Sequence, residues 1–222
     1  MRHKSEKGGS IIEFAFITLT LVPLLCGIGV IGINLIRTLQ TEQLARDAGH
    51  MYARGVDFTA TGNQQILANI AGSLNLSTTA GSGDSVVTFS ALTYVDSATC
   101  ALAGYTASGS NNGGCNNYGK WVFTQRLVIG NSSIRSSNLG SPLTSGPNSV
   151  TVNSTTGKIA LSDYATKAGA VAQFNAINPY SNVAGTVTGL PSGQVLYIAE
   201  ASASEYSVPP YTGGGTYAFG LF

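Results

Sequence analysis

The chain has 222 residues, 43% hydrophobic and only 9% charged, with 11 Lys+Arg against 10 Asp+Glu. An average soluble domain carries roughly 25% charged residues, so this chain is poor in solubilising charge. A formal net charge of +1 removes the broad electrostatic basis for nucleic-acid binding and excludes disorder driven by charge repulsion.

Polarity comes instead from Ser, Thr, Asn and 28 Gly, a composition suited to an exported surface of short strands and turns. Residues 1–8 are a basic leader in which Arg2, Lys4 and Lys7 outweigh Glu6. From Ile11 to Ile36 the chain is apolar, interrupted by Glu13, Pro23 and Asn34. At ~1.5 Å per residue this makes a helix of about 39 Å, enough to cross a hydrocarbon core of about 30 Å. The run is longer than the ~7–15 apolar residues of a secretory signal and lacks a small-residue cleavage site at its end, so it reads as a retained anchor. The basic leader places the N-terminus in the cytoplasm and the remainder outside the inner membrane. Gly27, Gly29 and Gly32 spell G-x-G-x-x-G, but no strand precedes them and no acid follows at the required distance. They read as small residues that let a membrane helix pack closely, and with Pro23 as a place for the helix to bend or unwind.

Glu13 is the unusual residue, because a carboxylate in an apolar helix is costly in lipid and marks a functional position. Gly8 and Gly9 separate the leader from the helix, and a cut between them makes Glu13 the fifth residue of the mature chain. The stretch Gly9-Ser10-Ile11-Ile12-Glu13-Phe14-Ala15, with the later Ala45-Arg46-Asp47-Ala48-Gly49 and Tyr52-Ala53-Arg54-Gly55, resembles the TadE-like pseudopilins of the tight-adherence pilus, a branch of the type IV pilin superfamily. That branch has Tyr where this chain has Phe14. The resemblance covers about residues 8–56. It implies processing at Gly8-Gly9 by a prepilin-type peptidase and charge pairing between the new Gly9 amine and Glu13, with Phe14 beside it. It further implies, as partners, other pilin-like subunits, pilus assembly proteins and the cytoplasmic membrane. The expected function is a structural subunit of a surface pilus or its assembly apparatus. The alternative is a membrane-tethered exported binding module or adhesin that does not polymerise.

The expected organisation is a leader at 1–8, an N-terminal helix at 9–58 and an extracytoplasmic domain at 59–222. Within the helix, the span covers about 11–36 and an amphipathic continuation about 37–56. From Asn34 to about Val56 the pattern is amphipathic, with Leu35, Leu39, Leu44, Ala48 and Tyr52 or Met51 recurring at helical spacing, and Gly55 ends the helix. A second helix should place Ile66, Leu67, Ile70 and Leu74 on one face. Ser85 to Val95 and Lys120 to Ile129 read as strands, Val150 to Leu161 as two short runs about a Thr156-Gly157 turn, and Gln194 to Tyr206 as a long strand. Asp163 to Ile177 reads as a helix capped by Asp163 and ended by Asn178-Pro179. This order predicts an α+β fold with an antiparallel sheet backed by short helices.

Cys100 and Cys115 flank a Gly/Ser/Asn loop and are expected to form a disulfide in an oxidising compartment; two Cys without nearby His make a poor metal set. Cys26 reads as a packing residue of the apolar helix. Catalysis is not expected, and neither is a cofactor or metal: His3 and His50 stand apart from any nucleophile. The distal acids, Glu200 and Glu205 among them, read as solvated.

Overall fold

The computed structural model describes residues 9–106, 113–174, 181–182, 186–187, 193–207, 209 and 214–222. The leader, with Gly8, and the expected helix end at 175–179 lie outside them.

Helix α1, Gly9–Ala53, runs uninterrupted through Pro23 and the three glycines, so the expected local unwinding does not occur. Its C-terminus closes as a Schellman motif, the usual solution for orphan helix carbonyls. Gly55 takes φ +84°, its N–H donates to Tyr52 O (2.9 Å), and the Val56 N–H donates to Met51 O (3.0 Å). Helix α2, Thr61–Ala71, and a following 3-10 turn, Gly72–Leu74, bury Leu67, Ala71 and Leu74. Ile66 and Ile70 are about half exposed instead of joining that face, because the sheet captures the Leu67–Ala71–Leu74 stripe.

Strands β1 (Ser85–Tyr94), β2 (Trp121–Gly130), β5 (Val195–Ser204) and β6 (Gly215–Leu221) form an antiparallel sheet in the order β2-β1-β5-β6. The one-turn helices α3 (Ser97–Leu102) and α4 (Leu161–Thr166) flank it, and β3 (Ser181–Asn182) pairs separately with β4 (Thr186–Val187). The fold class is therefore α+β, as expected. β1 is buried on both faces, as befits a central strand, and carries a register shift between Ala91 and Leu92. The outer edge of β2 is covered by the turn at Gly157: the Arg126 N–H donates to Gly157 O (2.8 Å) and the Ile159 N–H to Thr124 O (2.9 Å). Gly157 has φ +66°, and a Cβ there would lie 2.3 Å from Arg126 O, so the turn requires glycine.

One face of the sheet carries α1. Ala199, Ala201 and Ala203 of β5 meet Leu44, Ala45, Ala48 and Tyr52, and the small strand residues let the helix sit close. Phe58 stacks on Phe89 at 4.3 Å between ring centres, and Tyr52 reaches Phe89 at 5.0 Å and Tyr197 at 5.1 Å. The covered stripe of the continuation starts at Thr41; Leu35 and Leu39 stay exposed, contrary to the amphipathic pattern. The other face holds a second core, with Trp121, Phe123, Leu139, Phe174, Leu196 and Ile198, under the long segment between β2 and α4.

Other elements, β3 and β4 among them, differ from expectation. Helix α4 ends at Thr166, and after a 3-10 turn at Ala168–Ala170 the chain is extended at Val171, so that the Ala172 N–H bonds Trp121 O (3.0 Å). Asp163 lies inside α4 rather than capping it. It accepts from the Thr151 N–H (2.7 Å) and pairs with Lys167 (2.9 Å). Desolvation opposes its ionisation, but these donors outweigh it and hold the carboxyl below its usual range. Finally, β6 and α3 had not been expected. α3 has a capping signal, since Asp96 accepts from the Thr99 N–H at 2.7 Å, yet six residues are too few for a periodicity to register.

Cys100 and Cys115 are bonded and fully buried. Closing a 15-residue separation stabilises by about 3 kcal/mol in the chain-entropy account. Cys100→Ser/Cys115→Ser should thus lower the melting temperature by roughly 6–12 °C for a domain of this size, read by thermal denaturation under non-reducing conditions.

Candidate functional site

The N-terminal segment was the candidate read from sequence, and α1 sets its geometry. Gly9 opens the helix, and Glu13 stands four residues, about 6 Å, further along its axis. Glu13 and Phe14 are both exposed, Phe14 at 71%. Among the described residues Glu13 makes no ion pair, so its charge is open to a partner outside this chain or to the amine of Gly9. Thr18 and Thr20 turn their hydroxyls back onto helix carbonyls, at 2.8 Å to Phe14 O and 3.0 Å to Ile17 O. That satisfies polar side chains that lie on an apolar surface.

The helix is long and apolar enough to cross a membrane, and only 11% of its most apolar window is buried within the molecule. The core helix of a soluble protein would be mostly covered. Cys26 is free and exposed on the same surface.

The sequence did not single out a second polar site, on the sheet face opposite α1. Glu200 is 4% exposed, which overturns its reading as a solvated acid. Register explains the placement: Glu200 pairs with Thr88, Ser90 with Arg126 and Ser202 with Tyr217, and all of these point to one face. Glu200 Oε1 accepts from the Asn138 N–H (2.9 Å) and the Tyr217 O–H (2.8 Å), while Oε2 accepts from the Ser137 hydroxyl and lies 3.7 Å from Arg126 Nη1. Arg126 also donates to Ser90 Oγ (2.5 Å) and Gly140 O (3.0 Å). Burial pulls its guanidinium down to about 10, with Glu200 acting in the opposite sense, so it keeps its charge at neutral pH. Burial, and then the charge of Glu200, push the Tyr217 phenol above its ordinary value. Arg135 stacks over the Tyr217 ring at 4.2 Å.

Three hydrogen-bond donors reach Glu200, and Arg126 stands beyond hydrogen-bond distance as its ion-pair partner. The arrangement fastens the segment after β2 to the centre of the sheet through Ser137, Asn138 and Gly140. Beside it lies an apolar cavity of about 260 Å³ lined by Leu139, Phe174, Ile198, Tyr217, Phe219 and Leu221. Glu205 stands beyond the end of β5 and accepts from the Gly214 N–H at 2.5 Å. The faint sequence signal for the cluster was an acid and an arginine in strands otherwise made of apolar and small residues.

Fold and sites define a membrane-length helix continuous with a disulfide-bonded α+β domain. No protein-family model, no curated protein and no solved structure matches the chain.

Proposed function

We propose that the protein is a pilin-like structural subunit of a surface pilus or of its assembly apparatus. In this reading α1 is a single-pass anchor with its N-terminus in the cytoplasm and its domain outside. The observation that carries the proposal is the join of two features in one uninterrupted helix. Glu13 sits one turn from Gly9 on an exposed apolar surface, and the same helix then runs on as the spine of the folded domain. Such a helix can serve as an anchor before assembly and as packing surface after it. Its role is structural rather than catalytic.

Cleavage between Gly8 and Gly9 frees an amine with a reference pKa near 7.7–8.0, adding to the roughly half positive charge of a helix N-terminus. Glu13 neutralises that charge on its own chain or on a neighbour. Two charges that are each expensive in lipid become one pair. The test is processing: in cells that possess a prepilin-type peptidase, the wild-type chain should be recovered starting at Gly9, and Gly8→Val should retain Met1. Intact mass spectrometry reads both. Wild-type protein retaining Met1 would favour the tethered, unpolymerised module instead.

A further inference from the structure

Asn34 is the last polar residue of the apolar run and, among the described residues, the first side chain of α1 to hydrogen-bond the domain. Its side-chain amide makes two hydrogen bonds to the backbone of one residue beyond β5: Asn34 Nδ2 donates to Tyr206 O (3.1 Å), and the Tyr206 N–H donates to Asn34 Oδ1 (2.8 Å). The distance along the helix is informative. From Glu13 to Asn34 is 21 residues, about 31 Å at ~1.5 Å per residue, against a hydrocarbon core of about 30 Å. Glu13 and Asn34, the acid and the amide of the segment, stand about one bilayer thickness apart, while Thr18 and Thr20 between them turn their hydroxyls onto helix carbonyls, so Asn34 is placed at the outer surface, and Tyr206 with it.

A second observation extends this end of the domain towards the lipid. Residues 12–33 of α1 are almost all exposed, yet Val30 is only 8% exposed and Gly27 is buried. They lie on the helical stripe that continues to Asn34 and on to Thr41, whose hydroxyl meets Thr216 Oγ at 2.7 Å. The covered face of the helix thus begins about 6–10 Å on the membrane side of Asn34. Tyr206 opens the connection after β5, and Tyr is a residue that membrane–water interfaces favour. Tyr206 is 52% exposed.

We propose that the end of the domain at Tyr206, just beyond β5 and clamped to α1 by Asn34, is seated in the outer headgroup layer of the membrane, with the Tyr206 ring as its lipid contact. This rests on the insertion of α1 argued above. The domain does not stand off on a tether. It is held at a fixed height and orientation, and drawing a subunit out of the membrane must break the lipid contacts of the domain as well as those of the helix.

Depth-dependent fluorescence quenching tests this on the full chain in phosphatidylethanolamine/phosphatidylglycerol vesicles. Cys26 is the free cysteine, so an environment-sensitive label on the otherwise unchanged chain reports insertion of α1. With Cys26→Ser as background, Tyr206→Cys and Val128→Cys carry the same label. Tyr206→Cys keeps the clamp, which uses only the backbone of that residue. Val128 is exposed on the opposite edge strand and serves as the reference. The expected result is loss of Cys26-label fluorescence to spin labels deep in the acyl chains, and loss for the Tyr206→Cys label to headgroup or shallow spin labels only. The Val128→Cys label should be unaffected by either. A Tyr206→Cys label as unquenched as the Val128→Cys label, with Cys26 quenched, overturns the seating and leaves the anchor standing. An unquenched Cys26 label overturns the anchor and the seating together.

Discussion

Glu13→Gln should insert into the membrane, fold its domain and form the Cys100–Cys115 bond, yet fail to enter a pilus or its assembly complex. Glu13 is exposed and makes no ion pair among the described residues, and the covered face of α1 begins only at Gly27, so the substitution should leave domain stability unchanged. It also makes insertion slightly easier, since an amide is less costly in lipid than a carboxylate. What is lost is the partner of the Gly9 amine. Breaking one side of a buried pair costs roughly 3–5 kcal/mol, and about 1.4 kcal/mol is a factor of ten, so assembly should fall more than a hundredfold. Crosslinking of the variant to its pilus partners, run beside a membrane-fraction blot, measures both halves. Normal crosslinking would remove Glu13 from the assembly mechanism and favour the tethered module.

A comparable loss, now of stability, should follow Arg126→Leu. The substitution strands Glu200 at 4% exposure with hydrogen-bond donors but no compensating cation. The cost is again about 3–5 kcal/mol, or roughly 6–20 °C of melting temperature for a domain of 150–250 residues. Adding Glu200→Gln removes the second charge while keeping an acceptor for the Asn138 N–H and the Tyr217 hydroxyl. Replacing a buried ion pair as a unit is often near neutral, so the double variant should recover most of the loss. Thermal denaturation of the three proteins forms the cycle. A single-variant loss under about 1 kcal/mol would place the pair in the range of solvent-exposed bridges and count against its role in fastening the segment after β2.

The chain itself determined what depends on local chemistry and period. The apolar run from Ile11 to Ile36 needs no tertiary context to be a membrane-length helix, because its length alone meets the bilayer criterion. β1, β2 and β5 were legible as β-branched and aromatic runs, Gly55 as a helix stop and Gly157 as a turn, since each reflects a backbone preference of nearby residues. The Cys100–Cys115 pairing followed from topology, since Cys26 lies in the apolar helix and the loop pair faces the oxidising side. Tertiary structure alone decided which residues of these elements are covered. Leu39 has the spacing of a core residue and Val30 the setting of a lipid-facing one, but the domain grips the stripe of Val30, Asn34 and Thr41. Glu200 differs from any surface acid only through its neighbours, Arg126 across two strands and Ser137 and Asn138 on a distant segment. β6 is held by pairing with β5 and by its contact with α1, and its own sequence, rich in Gly and short, carries little signal. A burial pattern or a charge pair between residues 60 or more positions apart has no period to read, because its energy arises only when the sheet brings those residues to one face.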